Sequence, residues 1–255
     1  MRLAKQRLAL GAIGAVVVLF ALGTPASGSR RDQLRLIVQQ QCVPHWRSSQ
    51  DPAPCVSVSL VGGGAAARGF AVLADQKGGA HYLLIPTHTI TGIESPDVRA
   101  PDAPNYFDAA WKAREVLTLA IGHAIPRQAV GMAVNQIRSR SQDQLHIHIS
   151  CLGRLVYEAL QAQAERIGAS WAPLTIGALE YRAMRITSAQ LDGANPFELL
   201  AEQLPGARDA MGQFTVLVAG MQFREGPGFV ILAGSEVPGA ELLLDSTCAV
   251  ASEAR

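Results

Sequence analysis

From Leu8 to Ser29 the chain carries no charged residue, and a basic cluster of Arg2, Lys5 and Arg7 stands before that stretch. Its centre, Ile13 to Leu22, is rich in Val, Leu and Ala. An apolar helix rises ~1.5 Å per residue, so about twenty such residues cross a ~30 Å hydrocarbon core. Basic residues ahead of the span hold the N-terminus on the cytoplasmic side and send the remainder across. A cleaved signal peptide is the competing reading, since Thr24-Pro25-Ala26 leaves a small residue at a plausible cleavage site. The length of the uncharged stretch favours a retained anchor over residues 1–30, followed by a single domain over residues 31–255. On either reading the body folds in an oxidising compartment.

That compartment makes the four cysteines, Cys42, Cys55, Cys151 and Cys248, candidates for disulfides. Four cysteines admit three pairings, and sequence alone does not choose among them. Cys42 and Cys55 bracket the Pro-rich stretch Val43 to Pro54, which looks like a stapled loop. Pairing them leaves Cys151 with Cys248, joining the centre of the chain to its tail. Buried free thiols are the alternative.

The body has ample material for a core: 49% of the chain is hydrophobic and 17% charged. A net charge of +1, with aromatics at only 5%, excludes the basic footprint and stacking platforms of a nucleic-acid binder. Leu34, Ile37 and Val38 at helical spacing predict a short helix over Arg31–Gln41. Two apolar runs, Gly69–Ala74 and His81–Pro86, flank a Gly-containing turn and predict a hairpin. Tyr106–Ile121 reads as an amphipathic helix, Val130–Val134 and Leu145–Ile149 as strands, and Arg154–Ile167 as a further helix. Phe214–Ala219 and Phe229–Ala233 predict a second hairpin. The two hairpins hint at a duplication, without a residue-level repeat. Strands and helices come in blocks with no regular βαβ alternation, so the expected fold class is α+β: an antiparallel sheet with packed helices behind one transmembrane helix.

Chemistry concentrates in Gln144-Leu145-His146-Ile147-His148-Ile149-Ser150-Cys151. Period-two alternation puts His146, His148 and Ser150 on one face of a strand, expected to be the solvent side, and Leu145, Ile147 and Ile149 on the core side. Two surface histidines are the plain reading. His-x-His on a strand is also good zinc geometry, for which His81, His88 and Asp143 are candidate third ligands.

The run Asn135…Gln142-Asp143-Gln144 followed by His146-Ile147-His148-Ile149-Ser150 resembles the signature of the histidine triad (HIT) superfamily. Tyr82-Leu83-Leu84-Ile85-Pro86 resembles that superfamily's strand ending in Ile-Pro. The third histidine is replaced by Ser150. With Cys151-Leu152, Glu94-Ser95-Pro96 and Pro104-Asn105-Tyr106-Phe107, that replacement is similar to the CDP-diacylglycerol pyrophosphatase branch. The likeness runs from the anchor to the tail.

The resemblance implies a HIT-like fold that hydrolyses CDP-diacylglycerol to CMP and phosphatidate. His148 would be the nucleophile and a CMP-histidine the intermediate. His146 would contact a phosphate oxygen or orient the nucleophile's surroundings, and Ser150 occupies the position of the missing imidazole. Asn135 would hold ribose or phosphate, and Gln142 phosphate. No cofactor or metal is expected. The partners are the lipid substrate and the bilayer, on the exported, periplasmic side of a bacterial-type inner membrane; oligomeric state stays open. His81 and His88 flank the Ile-Pro strand near the expected site, His45 and His123 read as surface residues, and Tyr106, Phe107 and Trp111 are candidates to line the acyl-chain exit. A general nucleotidyl hydrolase or transferase, a non-catalytic nucleotide- or lipid-binding module, and a zinc hydrolase are the alternatives.

Overall fold

The computed structural model describes residues 30–61 and 68–252. Residues 1–29, which carry nearly all of the expected anchor, lie outside them. Among the described residues no helix is long and apolar enough to cross a membrane.

The described chain opens with one helical run from Arg30 to Ser49, whose α-helical parts are α1 (Gln33–Ile37) and α2 (Val43–Ser49). Between them, Val38–Cys42 form a widened π turn, in which the Val43 N–H reaches back to the Val38 carbonyl. Pro44 explains the widening: it has no N–H, and its ring would collide with the carbonyl four residues back in a regular turn. The helix therefore runs further than Gln41, and the stretch expected as a Pro-rich loop is helical as far as Ser49. A left-handed Gln50 (φ 58°) ends it, and the Cys42–Cys55 disulfide closes the loop that follows.

The strands are β1 (Ser57–Val61), β2 (Arg68–Ala74), β3 (Tyr82–Pro86), β4 (Val130–Val134) and β5 (Ile147–Leu152). After them come β6 (Ala172–Ile176), β7 (Leu179–Thr187), β8 (Thr215–Phe223), β9 (Gly226–Gly234) and the two-residue β10 (Leu244–Asp245). They form one antiparallel sheet in the order β1-β2-β3-β5-β4-β8-β9-β7-β6. β3 pairs with β5 as far as Ile149, and β10 takes over the same edge at Cys151 and Leu152. The Cys151–Cys248 disulfide fastens the tail there, so both bridges pair as expected.

Helices α3 (Tyr106–Ala113), α4 (Glu115–Ile121), α6 (Ser188–Gly193) and α7 (Pro196–Gln203) cover one face of the sheet. They pack Phe107, Leu117, Leu191 and Phe197 over Ile147, Ile149 and Met132. Each fully buried side chain of this size contributes ~1.5–3 kcal/mol. The expected single helix over Tyr106–Ile121 breaks at Arg114 into α3 and α4. On the opposite face, α5 (Arg154–Gln163) and the tail residues Ala240 and Leu243 cover β6 to β9. The N-terminal helical run covers β1 to β3 with Val38, Cys42 and Val43.

The structure corrects two expectations. The face carrying His146, His148 and Ser150 is not open to solvent, because the N-terminal helix and the C-terminal tail roof it; His148 is 2% exposed and Ser150 0%. Tyr106 and Phe107 are wholly buried in the other face, and Trp111 packs edge-on against Phe229 there. None of the three can line an exit from the histidines. Strands β1, β6 and β7 are not among the expected elements, although β7 alternates exposed Glu180 and Arg182 with buried Tyr181 and Ala183 as a half-buried strand does.

Candidate active site

The site occupies the gap between the two roofs. A cavity of about 190 Å³ is bounded by Leu34 and Ile37 of the N-terminal helix and by Asp75 and Lys77 of the turn after β2. His146 and His148 form its floor, and Glu241 of the tail closes one side. His148 lies opposite Leu83 on β3 and Ala133 on β4, so strands hold its backbone on both edges. His146 precedes the first residue of β5, and its ring meets that of His148 edge to face at 4.9 Å.

A chain of hydrogen bonds assigns the protons. The Ala240 backbone N–H donates to Asn135 Oδ1 at 2.7 Å, which fixes the orientation of that amide. Asn135 Nδ2 then donates toward His148 Nε2 and toward Glu241 Oε1, each at 3.3 Å. His148 Nε2 must therefore carry a lone pair. Its proton sits on Nδ1, which donates to His81 Nε2 at 2.9 Å. His146 is held in the same tautomer: its Nδ1–H donates to the Gln144 carbonyl at 2.7 Å, leaving Nε2 unprotonated. Gly239 permits the Asn135 contact, since a Cβ there would stand 2.8 Å from Asn135 Oδ1.

Burial keeps these rings neutral. Desolvation, then the neighbouring His146, His81 and Lys77, push the His148 pKa well below 6.5. Desolvation is also the largest cause of the lowered pKa values of His146 and His81. The arrangement presents a neutral imidazole whose Nε2 lone pair is held by an amide N–H at the edge of the cavity.

Ser150 follows on the same face, but its hydroxyl lies 2.7 Å from the Ala80 carbonyl and 3.3 Å from that of Asp245. It ties the β3 approach and the tail to β5. Gln142 lines the cavity with its amide engaged: Oε1 accepts from the Leu34 N–H and Nε2 donates to the Arg30 carbonyl. Asp143 is bound to Arg31 at 2.6 Å and to Arg140 at 3.1 Å. The Arg31 hydrogen bond, with help from Arg140, holds its carboxyl at about 2. Arg140 continues to Glu94 at 2.7 Å, so this network clamps the Asn135–Gln144 loop to the N-terminal helix. His88 lies apart as well, among Arg68, Asp97 and Asp102. His45 is exposed and bonded to the Ala53 carbonyl, and His123 is bonded to the Ala124 carbonyl.

Of the candidate third zinc ligands, only His81 lies beside His148. The structure supplies Asp75 as well: Asp75, His81 and His148 each bring one ligand atom within 4.8 Å of the others, a cluster able to hold a cation. The two imidazoles already share a hydrogen bond. Asp75, Lys77 and Glu241 are the site residues that sequence reasoning missed. The first two stand in an ordinary Gly-containing turn and the third in a tail without a motif, and only the fold brings them to His148.

A family model described as CDP-diacylglycerol pyrophosphatase matches residues 29–252. A protein of that name from Yersinia pestis is 40% identical over 230 residues, covering 87% of this chain and 86% of its own length. The match takes in both disulfides, the strand with the two histidines and the tail that carries Glu241, and the chain belongs to the CDP-diacylglycerol pyrophosphatase family.

Proposed function

We propose that the chain hydrolyses the pyrophosphate bond of CDP-diacylglycerol to CMP and phosphatidate, with His148 Nε2 as the nucleophile. The observation that carries this is the proton arrangement: the amide of Asn135, oriented by the Ala240 N–H, donates to His148 Nε2 and so leaves that nitrogen unprotonated at the cavity, free to attack once the amide turns to a phosphoryl oxygen. The Nε2 lone pair attacks the cytidylyl phosphorus, an N–P bond forms, and the bridging P–O bond breaks. Phosphatidate leaves as a phosphomonoester whose second pKa is ~6, so it needs little protonation. The phosphorylated ring becomes cationic, and the Nδ1–H bond to His81 stabilises that charge or passes the proton on. Water then cleaves the N–P bond, releasing CMP and restoring the lone pair. Neighbouring donors stabilise the charge that builds on the phosphoryl oxygens: Asn135 Nδ2 is already aimed there, and His146 borders the same space. Gln142 Nε2 reaches a phosphate only by releasing the Arg30 carbonyl, and Ser150 acts by holding strand and tail together.

The N-terminal helix begins beside the uncharged segment and lines the cavity mouth with Leu34 and Ile37, which supports a lipid substrate taken from an exported bilayer face by an anchored protein. Brief exposure to CDP-diacylglycerol should add the mass of one CMP to His148, and His148→Ala should lose both adduct and turnover. Near-normal turnover by His148→Ala would refute the mechanism. The cation cluster supports a second reading, in which a metal-bound water attacks. It requires activity to fall on chelation and to return with the metal; the histidine route requires neither.

A further inference from the structure

Three nitrogens converge on one carboxylate in the mouth of the site. Lys77 Nζ is ion-paired with Glu241 Oε2. Asn135 Nδ2 donates to Oε1 at 3.3 Å, and His148 Nε2 lies 3.7 Å from the same oxygen. The lone pair on Nε2 must come within ~3–3.5 Å of phosphorus to react. Glu241 therefore occupies the space that the reacting phosphoryl group has to enter. A carboxylate and a phosphoryl group use the same donors, in the form of charge-assisted hydrogen bonds.

Charge points the same way. The groups facing the nucleophile include two carboxylates, Asp75 and Glu241, against the single ammonium of Lys77, while the rings of His81 and His146 are neutral. A pyrophosphate diester cannot settle beside His148 with both carboxylates in place. The nearby arginines do not relieve this, since Arg31 and Arg140 are bonded to Asp143 and Glu94. Among the described residues Lys77 is the one cation that lines the cavity, and its side chain is 66% exposed, with room to follow an anion. Glu241 sits on a short 3-10 turn, Ala240–Leu243, next to Gly239.

We propose that Lys77 is a phosphate-binding residue of this site and that the Glu241 carboxylate holds the phosphoryl subsite until substrate displaces it. The proposal rests on the reading of the site as one for a nucleotide pyrophosphate. Substrate phosphate takes Lys77 and the Asn135 amide from Glu241, and the carboxylate swings out with its turn. The two residues then act with opposite sign: Lys77 favours binding of the anion, and Glu241 competes with it.

The test is calorimetric titration of the full-length protein in detergent with CMP, cytidine and inorganic pyrophosphate, on the wild type, Lys77→Ala and Glu241→Gln. Both positions are in turns at the surface, and matching thermal midpoints establish that the variants fold. Lys77→Ala should weaken CMP by about tenfold and Glu241→Gln should tighten it by about three- to tenfold, with cytidine unchanged in both, as expected for removing one charge-assisted hydrogen bond or one competing anion. Glu241→Gln binding CMP no better than wild type overturns the proposal, as does Lys77→Ala binding it equally well. If pyrophosphate follows the opposite-sign pattern while CMP and cytidine do not bind, the subsite stands and the nucleotide reading of the site falls.

Discussion

In the proposed mechanism the protonation of His148 depends on His81, and replacing His81 by leucine isolates that dependence. His81 Nε2 accepts the His148 Nδ1 proton at 2.9 Å in a buried setting. Leucine offers no acceptor, so the attacking form of His148 would keep a buried N–H unpaired, at a cost of ~1–3 kcal/mol. The competing form moves its proton to Nε2, which lies 3.7 Å from Glu241 Oε1 and so faces a carboxylate that favours a proton there. That form has no lone pair facing phosphorus. With tenfold in rate per ~1.4 kcal/mol, single-turnover release of phosphatidate should fall by about 5- to 150-fold, with KM little changed. His81→Gln keeps an amide oxygen able to accept from Nδ1 and should recover most of that loss. Nitrogen-15 spectra of the His148 ring give an independent readout: Nδ1 protonated in the wild type and in His81→Gln, and a shift toward Nε2 protonation in His81→Leu. If His81→Leu reacts within twofold of the wild type, or glutamine rescues no better than leucine, the proton assignment is wrong.

Three other outcomes follow from the geometry. The disulfides close loops of 97 and 13 residues, which the chain-entropy model values at about 4.7 and 2.9 kcal/mol; the serine pair at Cys151 and Cys248 should lower the denaturant midpoint more than the pair at Cys42 and Cys55, and the reverse order would contradict this. His81, His88, His146 and His148 all have folded-state pKa values below 6.5. As pH falls through ~6.5 the unfolded chain takes up protons that the folded one refuses, so stability is full above that pH and declines below it; a stability profile flat from pH 7.5 to 5 would count against neutral buried rings. If residues 1–30 are a membrane anchor, as proposed, removing them should leave hydrolysis of detergent-dispersed CDP-diacylglycerol near normal and depress it on intact vesicles, where tethering raises the local concentration; equal rates on vesicles would mean that this segment plays no part in substrate capture.

Local pattern alone determined a good deal about this protein. The alternation through Gln144–Cys151 put His146, His148 and Ser150 on one face, and that holds because side-chain direction in a strand is set by the backbone and needs no partner. The hairpin of β2 and β3, the strand Val130–Val134 and the antiparallel class were legible for the same reason. The pairing of the cysteines was one of three that the sequence admitted, and the structure selected it. Which face of β5 meets water was not legible, because that depends on two segments remote in the chain, the N-terminal helix and the tail from Val237 to Ser246. Nor was the company His148 keeps. His81 is 67 residues away in sequence, Asn135 is linked to a tail amide 105 residues away, and Lys77 meets Glu241 across 164 residues. No periodicity encodes such encounters, since they arise from strand order and from the way β10 and the Cys151–Cys248 bridge draw the tail across the sheet. Sequence could name an imidazole suited to attack phosphorus. Which of its nitrogens carries the lone pair, and which carboxylate stands in front of it, the tertiary structure decided, because hydrogen-bond partners and desolvation exist only once the chain has closed around the ring.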